Sequence, residues 1–397
     1  VGRQTREVDP ERFSHSTAGR VLRIGTGENA YWAFVPLDLP PDLDLDDELV
    51  PALAEAEHSL GELQGLARKT PNLDIFVGPF MRREAVFSSR IEGIEADISD
   101  LYAYEAGLPS LPGLGKPGVS QLDVWEVVNY VRALEYGLKS VATIPVSLRL
   151  LREVHLRLMG GLIGERATPG EFRRSQNWIG TPGSSLLDAD FVPPPPVEMH
   201  TALEALEKYL LAEDPHSPLV RLALIHYQFE TIHPFIDGNG RVGRILLSLQ
   251  LVHWGLVPLP LLTLSAFFER HRDEYYQRLI GVSERGAWKE WLFFFLRGVA
   301  EQSGDAMARA KQLQDLQLGW RGQLEDGGAP EWVLGLADLL FEKPLVSAQM
   351  VRRRFKVSDP AAVEGLGRLE KMGILREIAG TGRDKLYVAT AVVNSME

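Results

Sequence analysis

His233-Pro234-Phe235-Ile236-Asp237-Gly238-Asn239-Gly240-Arg241-Val242-Gly243-Arg244 joins two apolar helical patterns, and its reading decides the fold. Upstream, Ser217-Pro218 supplies an N-cap and a proline at the first helical position, after which Leu219, Leu222, Ala223, His226 and Phe229 run down one face. Pro234 stops that helix near His233, and Gly238-Asn239-Gly240 permits the positive φ angles of a tight anion-binding turn. Downstream, Val242, Ile245, Leu246, Leu249 and Val252 form a second buried stripe, with Gly255 past its end. The expectation is a helix, a glycine-rich loop and a second helix.

A loop of this kind attracts phosphate oxygens through backbone N–H groups, here those around Phe235, Gly238, Asn239 and Gly240, and through the positive end of the helix that follows. Arg241 and Arg244 sit three apart on neighbouring positions of one face, and guanidinium forks match phosphate. Asp237 lies in the middle of this loop and would repel a phosphate unless a cation stood between them. Mg²⁺, with Mn²⁺ as a substitute, is the simplest such cation. His233 titrates near neutral pH and is the candidate general base for a substrate hydroxyl. A lone histidine at a helix end, or a lone Asp-Gly-Asn-Gly, is ordinarily structural; the combination at this spacing is what points to a nucleotide. Gly238 to Gly243 also matches the dinucleotide fingerprint formally, but a helix precedes it and residues 255–266 carry no acid, so that reading is rejected.

The rest of the chain sets bounds. With 397 residues, 45% of them hydrophobic, two or three domains are expected. The absence of cysteine excludes disulfides and thiolate metal sites and suits a reducing cytoplasm. No apolar run approaches the ~18 residues of a membrane span, so no membrane partner is expected. The net charge of −12 argues against general nucleic-acid binding, although residues 331–397 hold ten Lys/Arg against nine Asp/Glu and so carry +1. The acidic connector 36–47 and the Gly/Pro-rich stretch 107–119 read as breaks. Helices are expected over 121–138, 146–159, 198–212, 218–232, 240–253, 267–281 and 288–302, with a short hairpin in 178–195. The expected fold is therefore mainly α. Its parts are an N-terminal helical region 1–115, a core 116–302, a connecting helix 303–330 and a small domain 331–397.

The quoted loop resembles the complete signature of the Fic (filamentation-induced-by-cAMP) family. Further matches are Val127-Val128-Asn129-Tyr130, Pro169-Gly170-Glu171-Phe172-Arg173, Gln176 with Ile179-Gly180, Phe191–Pro195, Tyr275-Tyr276, and Trp288 with Trp291. The resemblance implies a helical Fic fold whose members mostly move AMP from ATP to Ser, Thr or Tyr hydroxyls. His233 would then deprotonate the target hydroxyl, Asp237 hold Mg²⁺, Asn239 and the loop amides position the α-phosphate, and Arg241 and Arg244 hold the remaining phosphates. Relatives that transfer phosphate carry Lys in place of Gly240. Phe191, Val192 and Pro193 resemble the family's target flap, an exposed edge on which a protein substrate lies as an extra strand. Tyr275 and Tyr276 match an adenine-pocket pair. Ser88-Ser89-Arg90-Ile91-Glu92-Gly93 fits the inhibitory pattern built on Ser88, Glu92 and Gly93. There Glu92 would pair with Arg244 and displace the γ-phosphate.

The resemblance leaves open self-modification, a homodimer, and removal of AMP by the same site. In 331–397, three short helices (Trp332–Phe341, Ser347–Arg354, Ser358–Met372) and two strands around Gly380-Thr381-Gly382 resemble a winged helix-turn-helix. Arg352, Arg353, Arg354, Arg368, Lys371, Arg383 and Lys385 could meet DNA phosphates, yet Glu364 and Glu370 share the recognition helix. Docking of a protein is at least as natural there, and a nucleotide-sensing transcription regulator is the rival from another class.

Overall fold

The computed structural model describes residues 9–27, 30–44, 46–70, 73–108, 118–161, 168–181, 183–379 and 385–397. It is mainly α-helical and divides into two compact units. One comprises Val1–Gly61, Arg132–Leu256 and Phe267–Glu301; the other comprises Glu62–Val131, Val257–Ala266 and Gln302–Glu397. In chain order the helices are α1 (Leu49–Lys69), α2 (Asp74–Ile91), α3 (Ile98–Glu105), α4 (Gln121–Val141), α5 (Leu148–Leu158), α6 (Pro196–Leu211), α7 (Pro218–Ile232) and α8 (Asn239–His253). They continue with α9 (Leu264–Arg270), α10 (Arg272–Arg285), α11 (Trp288–Asp326), α12 (Glu331–Glu342), α13 (Ala348–Phe355), α14 (Asp359–Lys371) and α15 (Thr390–Asn394).

The first unit is built around the packed pair α7 and α8. The Ser217 hydroxyl accepts from Leu219 N–H to open α7, as the sequence pattern requires. Leu222, Ile225 and Phe229 of α7 and Ile245, Leu246 and Leu249 of α8 are fully buried. Close approach depends on small residues. A Cβ at Gly243 would lie 2.2 Å from Glu230 Oε1, and one at Gly137 would lie 2.8 Å from a Leu249 methyl. Trp291, at the start of α11, is fully buried and donates to the Ala223 carbonyl at 3.0 Å, which ties α11 to α7.

Two strands escaped the sequence reading. β1 (Gly19–Ile24) and β2 (Tyr31–Pro36) pair antiparallel, Gly19 opposite Pro36 and Ile24 opposite Tyr31. An isolated two-stranded sheet is marginal in water, so its existence rests on what it covers. Phe34 of β2 packs between Phe13 and Phe191, with ring centroids 5.4 and 5.8 Å away. The helix expected over 267–281 is instead two, α9 and α10, interrupted at His271. The segments 288–302 and 303–327, expected as separate helices, form the single helix α11. Among the described residues, the hairpin expected in 178–195 reduces to one antiparallel bridge, Ile179 to Phe191.

In the second unit α12 packs along α2, and the fully buried ring of Phe341 meets Phe76 edge-on at 5.3 Å and Trp320 at 5.1 Å. Asp97 opens α3 with a capping box shared with Asp100. The C-terminal portion runs α12, β3 (Leu345–Ser347), α13, α14, β4 (Arg376–Ala379), β5 (Leu386–Val388) and α15, with sheet order β3-β5-β4. β3 was not anticipated, because three residues carry no period. The turn Gly380–Asp384 and its Arg383 lie outside the described residues. Among the described residues no helix is long and apolar enough to cross a membrane.

Phe341→Ala removes the ring that joins α2 to α12 and should lower the unfolding free energy by about 3–5 kcal/mol. An unchanged denaturation midpoint in urea, at constant slope, would contradict this packing.

Candidate active site

α7 stops at Ile232, and His233 takes φ 49° and ψ 60°, a left-handed conformation. Lys356 is the one other non-glycine with positive φ among the described residues. Pro234 disfavours the right-handed helical region for the residue before it, so α7 cannot continue, and histidine is among the side chains that enter the left-handed region more readily than most. Such a backbone costs on the order of 1–3 kcal/mol and persists only where its surroundings hold it. His233 N–H donates to the Phe229 carbonyl at 3.0 Å. The His233 carbonyl accepts from Arg173 Nε at 2.9 Å and Asn177 Nδ2 at 3.2 Å. Its ring Nδ1 lies 3.2 Å from the Glu230 carbonyl. A carbonyl only accepts, so this contact selects the Nδ1–H tautomer and makes Nε2 the basic nitrogen.

The loop that follows is clamped by side-chain amides. Asn239 Oδ1 accepts from Phe235 N–H and Asn239 Nδ2 donates to the Phe235 carbonyl, both at 2.8 Å. Asn177 Nδ2 donates to the same carbonyl at 2.8 Å. Asn239, expected at the α-phosphate, thus uses Oδ1 and one of its two amide N–H groups to shape the loop. Gly238 has φ 76°, and a Cβ there would sit 3.0 Å from Met159 Sδ, so only glycine suits the position. α8 then begins at Asn239, and the amides of its first turn have no helical acceptor of their own.

Charge is distributed unevenly around this turn. The Asp237 side chain is 63% exposed, whereas Arg241 and Arg244 are buried. Arg241 Nη2 stands 3.6 Å from Asp237 Oδ1, and that oxygen also accepts from Gly238 N–H at 2.5 Å. Among the described residues no group of three or more His, Cys, Asp or Glu side chains could chelate a metal. A cation here would rest on one carboxylate, with phosphate oxygens and water completing its shell, which fits Mg²⁺ and excludes a zinc-type cage.

Three supporting residues were not singled out for a role by sequence reasoning: His155, Arg173 and Asn177. His155, buried in α5, stacks on Phe235 with centroids 3.8 Å apart and planes 8° apart. Its Nδ1 accepts from Gly170 N–H at 2.8 Å, so Nε2 carries the proton and donates to the Asp237 carbonyl at 3.0 Å. Burial holds its pKa down to about 4. The available signal was its place in an apolar helical stripe, which reads as core and hides the polar duty.

Other expected residues are placed as follows. Phe191, Val192 and Pro193 are buried, and the Val192 carbonyl accepts from Phe34 N–H of β2 at 2.9 Å. The flap edge expected to be open is thus partly occupied by the chain's own strand. Tyr275 is buried and its hydroxyl lies 2.7 Å from His226 Nε2, inside an aromatic cluster with Phe268 and Trp291; Tyr276 is 40% exposed. Ser88 is fully buried in α2, and exposed Glu92 follows the helix as its cap. Gly93, at φ 86°, closes that end, with Gly93 N–H donating to Arg90 and Ile94 N–H to Ser89.

Fold and loop together define a helical protein in which a glycine-containing turn between α7 and α8 brings a histidine, two buried arginines and one exposed carboxylate together. Residues 50–139 match the Fic/DOC family N-terminal region and residues 145–251 match the Fic/DOC family itself. The chain belongs to the Fic/DOC family. It is 32% identical over 167 residues to a protein adenylyltransferase Fic of Nematostella vectensis, covering 41% of this chain and 35% of that protein. It is 31% identical over 157 residues to the protein of the same name from Drosophila grimshawi, covering 39% and 29%. The matches thus span about a third of these relatives' length. A Fic family protein of Desulfovibrio desulfuricans G20 superposes with TM-score 0.57 at 21% identity, over 88% of this chain and 98% of that one. That likeness shows the shared fold.

His155 generates a stability prediction. Its pKa is lowered on folding, so between pH 6.5 and about 4 the unfolded chain binds the extra proton and acid destabilises the fold. Stability should fall by about 2 kcal/mol between pH 7.5 and 5 on this account alone. The loss should shrink by that amount in His155→Gln, as measured by urea unfolding at several pH values.

Proposed function

We propose that the chain is a protein adenylyltransferase that moves AMP from ATP to a Ser, Thr or Tyr hydroxyl of another protein. The observation that carries the reading is His233 at the end of α7, its Nδ1 bound to the Glu230 carbonyl, one turn before an exposed Asp237 and the start of α8. The family membership and the adenylyltransferase relatives support it.

In this reading the target hydroxyl oxygen attacks the α-phosphorus of ATP, and its proton passes to His233 Nε2. A new P–O bond forms, the bond to the β-phosphate oxygen breaks, and pyrophosphate leaves. The amides of Asn239 and Gly240, at the start of α8, would meet the α-phosphate, and Arg241 and Arg244 would hold the others through charge-assisted bonds. Asp237 is the residue that would hold Mg²⁺, which when bound neutralises the charge of the phosphate chain. Tyr276 offers a ring face toward the adenine, with Tyr275 fixed behind it by His226. A target segment seated at Phe191–Pro193 has to replace the bond between Phe34 and Val192. The carboxylate of Glu92 acts as the brake that its pattern implies.

The C-terminal portion, residues 331–397, is read as a winged helix-turn-helix on the order α12-β3-α13-α14-β4-β5. A protein partner suits it better than DNA. The groove between α13 and α14 contains exposed Val363 and Glu364, and Arg352 there is already paired with Asp359 at 3.1 Å. The absence of cysteine suits work in the cytoplasm.

His233→Ala should reduce transfer of label from α-labelled ATP to protein by about 10²–10⁴-fold. Glu92→Gly should raise it above the parent, and Asp237→Ala should lower it and raise the Mg²⁺ concentration needed for the half-maximal rate. Equal labelling by the parent and His233→Ala would sink the assignment of the base.

A further inference from the structure

The structure contains a buried cation that the proposed reaction does not use. Arg173 is 1% exposed, and burial holds its pKa down to about 10. Burying a guanidinium costs several kcal/mol unless each donor is satisfied. Among the described residues every acceptor it reaches is a backbone carbonyl. Nε donates to His233 at 2.9 Å, Nη1 to Ser175 at 3.2 Å, and Nη2 to Pro194 at 2.5 Å and Ile232 at 3.3 Å. Its own N–H donates to the Pro234 carbonyl at 2.9 Å. Ile232 and His233 end α7, where the helix dipole is negative and carbonyls lack helical donors. Pro194 belongs to the flap.

A second bridge runs alongside. Gln176 Nε2 donates to the carbonyls of Pro193 and Asn177, both at 2.9 Å, and Asn177 Nδ2 donates to His233. The segment 173–177 therefore ties the two flap prolines to the strained left-handed residue that carries the base.

We propose that Arg173, seconded by Gln176, is a positioning residue that locks the backbone of His233 to the flap, so that the imidazole keeps its Nδ1–H tautomer and its aim at a hydroxyl presented there. The inference rests on His233 being the base, but its geometric part can be measured without any reaction. A planar fork reaching carbonyls on both sides explains why arginine is used here, since a lysine ammonium cannot span them.

The test uses the full chain with ¹⁵N-labelled histidine, the His233 signal being assigned by its loss in His233→Ala. Arg173→Lys should convert the His233 nitrogens from the Nδ1–H pattern to averaged tautomers, while the His155 signals stay as they were. In a Glu92→Gly background, Arg173→Lys should lower the maximal rate of protein labelling by about 10²-fold, the loss typical of a catalytic group misplaced by an ångström. The dissociation constant for Mg·ATP should be unchanged. Gln176→Ala, which removes the half-buried bridge together with the bond that Gln176 Oε1 accepts from the Tyr31 hydroxyl at 3.2 Å, should change both readouts in the same direction by less, and keeps the test available if Arg173→Lys misfolds. An unaltered His233 spectrum in either folded variant would overturn the proposal, as would equal losses of nucleotide affinity and labelling rate. An inactive Glu92→Gly parent would count against the transferase reading alone, since the spectrum still decides the role of Arg173.

Discussion

The organisation of the site depends on how α7 is made to stop. A helix ending inside a protein leaves carbonyls without donors, and the residue that ends this one is the proposed base. Pro234 makes the stop compulsory, and His233 ends the helix with a left-handed backbone that a following proline does not by itself favour. That conformation would be a liability in a loose loop. Here the His233 carbonyl is held by Arg173 and Asn177 and its ring by Glu230, so the strain is distributed over a rigid frame. The loop beyond inherits this definition, because Asn239 and Asn177 fix Phe235, and Phe235 stacks on His155.

Burial and exposure divide the labour within the loop. The supporting groups, His155, Arg173 and Asn239, are buried and have their polar atoms bound to backbone. Asp237 projects into solvent, where a hydrated cation could reach it at little desolvation cost. A rigid interior presenting few exposed reactive groups is the arrangement that electrostatic preorganisation requires. The β1–β2 hairpin adds a complication at the flap, because Phe34 fills the space beside Phe191 and bonds to Val192.

Much of this was legible in the residues. The Ser217-Pro218 cap, the two apolar stripes, the proline stop and the glycine turn located α7, the loop and α8 within a residue, since each signal is a local steric rule. The strands β1, β2 and β3 were not legible. They are three to six residues long and are stabilised by packing against distant segments, which leaves no period to detect. The merger of 288–302 with 303–327 into α11 escaped for a related reason, as a change of surface polarity along a helix looks like a boundary in sequence.

The sequence by itself placed an imidazole, a carboxylate, two guanidiniums and a glycine turn at fixed spacing, the groups that the proposed reaction would use, all within one turn and the helix that follows. It also determined the helical class, because propensity, capping and period act over a few neighbours. Only the tertiary structure decided which side chains hold those groups in place. Arg173 and Asn177 lie more than fifty residues from His233 in the chain, and His155 more than eighty from Asp237. Hydrogen bonds to carbonyls carry no signature in the side chains they reach, so the partner of a backbone oxygen is known only once the chain has folded.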